Sequence, residues 1–129
     1  MRYIIIAILC FASFFGSAWA QPKVSPLALV GSWTVTEMHP SGASITTVVK
    51  FSQNMKFSGL TTVDSKPFMN FSGTWSVDGN TLKWRYEASS NPSIPAGFTD
   101  SDEITSVGPS ELILVSALSG KKHTYTKNK

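Results

Sequence analysis

The chain has 129 residues, with eleven Lys/Arg against eight Asp/Glu and a formal net charge of +3. That length holds one small domain with a single core and excludes a multidomain enzyme. The positive excess is too small and too scattered to specify a nucleic acid, so no nucleic-acid partner is expected.

Met1–Ala20 reads as a signal peptide, with Arg2 as a short positive region, Tyr3–Phe15 as the apolar stretch and Gly16–Ala20 as a small-residue cleavage segment. The Ala18-x-Ala20 pair places the cut before Gln21. The alternative is an uncleaved anchor, since the apolar run approaches spanning length, but an anchor has no use for the Ala-x-Ala pattern. Lipidation at Cys10 fits less well, because bulky Leu9 stands where a lipoprotein signal carries a small residue. The expected product, residues 21–129, is a single exported domain, periplasmic or secreted, with no stable membrane span after cleavage. Cys10 is the only cysteine, so this domain has no disulfide, no cysteine metal ligand and no cysteine nucleophile.

Past the leader, Ser25-Pro26 is a helix-starting pair and the stretch it opens ends at Gly31, which predicts one short helical turn. No window of eleven or more residues beyond it carries the apolar stripe of an amphipathic helix. Eight short runs rich in Val, Ile, Thr and aromatics follow instead: 29–38, 43–51, 55–64, 67–77, 81–87, 101–107, 111–117 and 121–126. Clusters of Gly, Pro, Asn, Asp and Ser separate most of them, such as His39-Pro-Ser-Gly42, Asp78-Gly-Asn80 and Gly108-Pro-Ser110. Short links make neighbouring strands antiparallel. The expected fold is therefore all-β, an eight-stranded antiparallel up-and-down barrel, because closure removes both sheet edges; a two-sheet sandwich is the rival. Leu82, Trp84 and Tyr86 share one parity and oppose Lys83, Arg85 and Glu87, so one face of that strand is buried and aromatic. Charged outward positions there argue against a membrane-spanning barrel. Met69, Phe71, Trp75 and Val77 share a parity in a longer strand, in which Gly73 marks a bend or bulge.

Three stretches then resemble a known group. Gly31-Ser-Trp33 opens the first strand after a brief apolar lead-in. Phe51-Ser-Gln-Asn-Met-Lys-Phe57 resembles a Phe-x-x-Asp-Gly-x-Phe hairpin, with Asn54-Met55 at the Asp-Gly place. Gly73-Thr-Trp-Ser-Val-Asp-Gly-Asn-Thr-Leu82 resembles a Gly-x-Trp-x-Val-x-Gly-x-x-Leu hairpin. The chain thus looks like the small bacterial lipocalin-like members of the calycin superfamily. The resemblance implies an eight-stranded barrel that binds a small hydrophobic ligand. It also implies that Gly31 and Trp33 help close one barrel end, with a basic side chain of the last strand, Lys121 or Lys122, over the Trp33 ring.

Site chemistry is sparse. His39 and His123 lack ligand-spaced partners and read as ordinary surface or strand histidines, so no metal site is expected. Asp100, Asp102 and Glu103 read as a solvated face entering the sixth strand, a calcium bridge between Asp100 and Asp102 being the alternative. No serine sits in Gly-x-Ser-x-Gly, no cofactor is implied, and the expectation is a protein that is not an enzyme. Two function classes follow. In one, a cavity lined by Phe57, Phe71, Trp84, Tyr86, Ile113 and Val115 holds a small hydrophobic ligand. In the other, the protein inhibits or docks on an exported partner through the Gln21–Ser25 arm or the long loop 88–99, with Ile94 and Phe98 as contact residues.

Overall fold

The computed structural model describes residues 24–129. The expected leader, its expected cleavage site and the first three residues of the Gln21–Ser25 arm lie outside them. Pro26–Leu29 forms a 3-10 turn, and eight strands follow: β1 (Gly31–Met38), β2 (Ser44–Phe51), β3 (Lys56–Val63), β4 (Lys66–Asp78), β5 (Thr81–Ser89), β6 (Thr99–Val107), β7 (Glu111–Ser116) and β8 (Lys122–Lys127). Each strand pairs antiparallel with the next, and β8 returns to β1, so the meander closes into a barrel rather than splitting into two sheets. Closure leaves no long unpaired edge, which is how an all-β chain without covering helices satisfies its backbone groups.

The alternation of strand direction gives the barrel two unlike ends. Links 52–55, 79–80 and 108–110 lie at one end with the 3-10 turn, and links 39–43, 64–65, 90–98 and 117–121 lie at the other. The first end is closed by packing. Leu29, Trp33, Leu82 and Leu112 are fully buried and Phe51 is nearly so. Each such side chain contributes roughly 1.5–3 kcal/mol of burial. Trp33 Nε1 donates to the Leu29 carbonyl at 2.8 Å, which ties the 3-10 turn across the barrel floor. Val24 N donates to the Gly79 carbonyl, so the described part of the N-terminal arm also runs against this end.

The basic side chain over Trp33 is Lys127, with Nζ 5.3 Å from the ring centroid, and neither Lys121 nor Lys122. The reason is strand polarity. Trp33 stands near the start of β1, so its antiparallel neighbour lies at the end of β8, and the register pairs Trp33 with Lys127. Lys121 and Lys122 sit at the opposite, open end. Gly31 has φ 134°, and a Cβ there would come within 2.8 Å of Lys127 Cε, so the residue type also makes room for this lysine.

Two local features bear on the site above. The β4–β5 register slips between Ser72 and Gly73, and a Cβ at Gly73 would lie 1.9 Å from the Arg85 carbonyl oxygen, so the bulge requires glycine. Met55 holds φ 65° in the β2–β3 turn, the left-handed conformation that glycine adopts at lower cost, and its side chain packs against the core. The Asn54-Met55 turn therefore reaches the geometry of an Asp-Gly turn with a residue that resists it.

Candidate functional site

Above the packed floor, side chains of the same inward parity become polar. An aromatic layer separates the two regions. Phe57 meets Trp84 edge-on at 5.0 Å and Tyr86 at 5.4 Å, while Phe71 lies 5.9 Å from Tyr86. Trp84, Phe71 and Tyr86 form the bottom of a cavity of about 250 Å³ that opens at the end away from the 3-10 turn. Its walls carry Thr47 and Thr61, hydrogen-bonded to each other at 3.0 Å, and Met69 on the neighbouring strand. The far side is polar and partly ionised, built by Asp100, Asp102, Ser116, His123 and Tyr125.

Strand register explains this convergence. Asp100 stands opposite Trp84 and Asp102 opposite Leu82, so both carboxylates share the inward parity of buried Ile104. His123 stands opposite Leu114 and Tyr125 opposite Leu112, which turns both inward as well. Trp84 Nε1 donates to Asp102 Oδ2 at 2.7 Å, and Asp100 Oδ1 accepts from the Ser101 amide at 2.8 Å. Each carboxylate keeps its second oxygen without a protein donor among the described residues. The hydroxyls of Tyr86 and Tyr125 likewise make no hydrogen bond among those residues.

Burial raises the Asp102 carboxyl above its ordinary value, and nearby Asp100 adds to the effect, while the Trp84 hydrogen bond and His123 pull it down. Burial, then Asp100 and Asp102, push the Tyr86 phenol up to about 12. Tyr125 moves the same way and further, through burial first and the charge of Asp102 next. Both phenols are therefore neutral hydrogen-bond donors at physiological pH.

The wall is thinnest at the seam between β1 and β8, where the register runs only over Trp33–Lys127 and Thr34–Thr126 and is extended at the floor by Asn128 N to the Ser32 carbonyl. Higher up, His123 Nδ1 and Glu37 Oε1 meet across the gap. A cleft of about 180 Å³ bounded by Val35, Glu37 and Ile45 adjoins the cup here, sharing Thr47, His123 and Tyr125 with it. A larger concavity, about 580 Å³, lies on the outer face of β4–β6 beside Lys83, Arg85 and exposed Leu118. Trp75 and Trp84 border it too, but it lies on the outside of the sheet, whereas the cup gathers aromatic rings and convergent polar groups inside the barrel and is the better-formed site.

The lipocalin-like domain family matches residues 29–113, about two thirds of the chain. The chain belongs to the lipocalin-like family. A crystal structure of a lipocalin-like protein from Bacteroides uniformis is 18% identical, with a TM-score of 0.55 over 78% of this chain and 99% of that one. An NMR structure of a protein from the same organism is 18% identical, with a TM-score of 0.57 over 83% and 94%. A crystal structure of a lipocalin-like protein from Bacteroides thetaiotaomicron is 19% identical, with a TM-score of 0.50 over 78% and 97%. At such identities these neighbours show the barrel fold. Among curated proteins, none matches the chain.

In this lipocalin-like barrel, Phe71, Trp84 and Tyr86 reach the cup, while Phe57 supports them from the core below. Ile113 and Val115 do not line it. Leu112 and Leu114 are the buried residues of β7, which puts Ile113 and Val115 on the outer face. The Asp100–Asp102 pair, expected on a solvated face, points inward instead, and His123 stands in the barrel rather than on its surface. Glu103 does face outward. His39 sits in the exposed β1–β2 turn with Ser41. In the loop 90–98, Phe98 leans on Tyr86 at 5.9 Å while staying 37% exposed, and Ile94 is half-buried. Among the described residues, no group of three or more His, Cys, Asp or Glu could hold a metal ion, and no helix is long and apolar enough to cross a membrane.

Proposed function

We propose that this lipocalin-like protein is exported after cleavage behind Ala20 and serves as a non-catalytic binder of one small molecule with substantial apolar surface. The observation that carries the reading is the cup itself. It is a cavity inside the barrel, open at one end, with aromatic rings beneath and a few convergent polar groups around them. Its volume of about 250 Å³ suits a molecule of one ring with a short chain, and the adjoining seam cleft leaves room for a small extension. Binding rather than turnover is favoured because His123 is engaged by Glu37 and hydrogen-bonds no Ser or Thr hydroxyl among the described residues, so no activated nucleophile is assembled. Docking through the 88–99 loop has less support, since Phe98 leans on Tyr86 and Ile94 is half-buried.

Native mass spectrometry of the protein recovered from its own exported fraction tests this. The expected spectrum shows a single small-molecule adduct that disappears in Thr61→Trp, a change that fills the cup from its wall. A wild-type protein without adduct, combined with no calorimetric binding across a panel of small aromatic compounds, would sink the reading.

A further inference from the structure

The charge inside the cup runs against the charge of the molecule. The protein is net positive, with eleven Lys/Arg against eight Asp/Glu, yet among the described residues no lysine or arginine lines the cup or the seam cleft. Asp100 and Asp102 stand within it and Glu37 borders the cleft. Among the described residues His123 is the one lining group able to carry positive charge, and it is already engaged by Glu37. Neither aspartate forms an ion pair among the described residues, although His123 bears on Asp102 from a distance. Each leaves one oxygen free of protein donors among the described residues. Carboxylates in a concave, partly desolvated site without a counter-ion attract a cation far more strongly than the same groups in open solvent.

Geometry narrows the kind of cation. Residues i and i+2 on one strand face lie about 6.6 Å apart, so a single nitrogen can approach both side chains with its donors pointing to each. Trp84 stands opposite Asp100 in register and its ring nitrogen bonds Asp102, so with Phe71 and Tyr86 it presents ring surface beside the carboxylates in the same cup. Ring faces attract cations and bury hydrocarbon equally well. A bare metal ion would leave that surface unused, and a purely apolar molecule would leave the two free carboxylate oxygens desolvated and unpaired.

Resting on the cup reading above, we propose that the ligand is a small organic amine. Its protonated nitrogen is held by Asp100 and Asp102, and its apolar body lies on Phe71, Trp84 and Tyr86. The neutral phenols of Tyr86 and Tyr125 are then free to donate to an oxygen on the ligand's far end.

Isothermal titration calorimetry at neutral pH with three near-isosteric probes tests the assignment: 2-phenylethylamine, 2-phenylethanol and 3-phenylpropanoate. The amine is expected to bind at least tenfold more tightly than the alcohol, and the carboxylate not measurably. In the double variant Asp100→Asn/Asp102→Asn the amine's advantage over the alcohol should vanish while alcohol binding stays unchanged. Equal affinity of alcohol and amine in the wild type, or tighter carboxylate binding, overturns the cation assignment and leaves the cup reading standing. Calcium ion displacing the amine with the higher affinity also overturns it. If none of the three probes binds, the amine proposal falls, and an adduct in the exported protein then decides separately whether the cup reading survives. The wild-type probe series needs no variant to fold.

Discussion

The two ends of this barrel are built from the same eight strands and the same inward parity, yet they solve opposite problems. At the closed end, Leu29, Trp33, Phe51, Leu82 and Leu112 exclude water, and the polar atom among them, Trp33 Nε1, is satisfied by a carbonyl. At the open end, inward positions carry hydroxyls, carboxylates, an imidazole and two phenols around a cavity. Strand pairing fixes the position of both sets of side chains, so the closed end supplies stability that the open end can spend on polar groups in a concave site. The comparison teaches that the boundary between scaffold and site is a layer, the aromatic rings of Phe57, Phe71, Trp84 and Tyr86, rather than a loop.

The sharpest way to break this comparison is to truncate both ends. Leu112→Ala should cost about 3 kcal/mol, because the cavity it leaves is sealed, whereas Met69→Ala, beside the open cup, should cost about 1 kcal/mol. Urea midpoints with unchanged slopes check both, and equal losses would mean that the two ends are packed alike. Gly73→Ala should cost about 3 kcal/mol, since its Cβ meets the backbone of Arg85 and not a movable side-chain tip. In that variant small-molecule binding should weaken as well, because the β4–β5 bulge positions Trp84 and Tyr86.

Smaller effects come from the ionisable groups of the cup. The Asp102 carboxyl is more easily protonated in the folded than in the unfolded chain, so its ionisation costs stability. That cost develops as pH rises past the ordinary carboxylate range to the raised folded value, and it disappears on acidification. Asp102→Asn, which keeps an oxygen for Trp84 Nε1, should therefore be more stable than the wild type at neutral pH, by about 0.5 kcal/mol given screening at the open mouth. Thermal midpoints of the two proteins should converge as the pH is lowered. The phenols act at the other extreme. Of three tyrosines, Tyr86 and Tyr125 lie within the described residues, and with Tyr86 pushed up to about 12 and Tyr125 further, the folded state favours their neutral forms. Stability from this source is present below pH 10 and is lost as the pH climbs through the folded values, so phenolate absorbance and unfolding should rise together above the normal tyrosine range. The smallest effect expected is at the floor, where Lys127→Met should cost about 0.5 kcal/mol through loss of the cation over Trp33.

Much of the barrel was legible because its strands alternate cleanly. Leu82, Trp84 and Tyr86 stand out against charged neighbours, and the link residues punctuate the meander. The seventh strand was not legible in the same way: Leu112-Ile-Leu-Val115 is apolar on both parities, so only its register against β6 and β8 chooses Leu112 and Leu114 for the interior. Lys127 was missed because the partner of the first strand's start is set at the last strand's end, a long-range register that no local pattern reports. Asp100 and Asp102 are the instructive case. Their shared parity with Ile104 already pointed inward, but charge usually signals solvent, and only barrel closure converts that side of β6 into the wall of a cup. His123 and Tyr125 were hidden likewise in a strand whose composition reads as exposed.

Both ends of the described chain lie at the floor. Val24 is tied to the Gly79 carbonyl, and at the other terminus Asn128 N donates to the Ser32 carbonyl at 2.8 Å. Any tether joined ahead of Val24 or behind Lys129 thus begins on the side opposite the mouth. An affinity tag, a fused domain or a solid support attached at either terminus would hold the barrel by its base, with the cup facing outward and unobstructed.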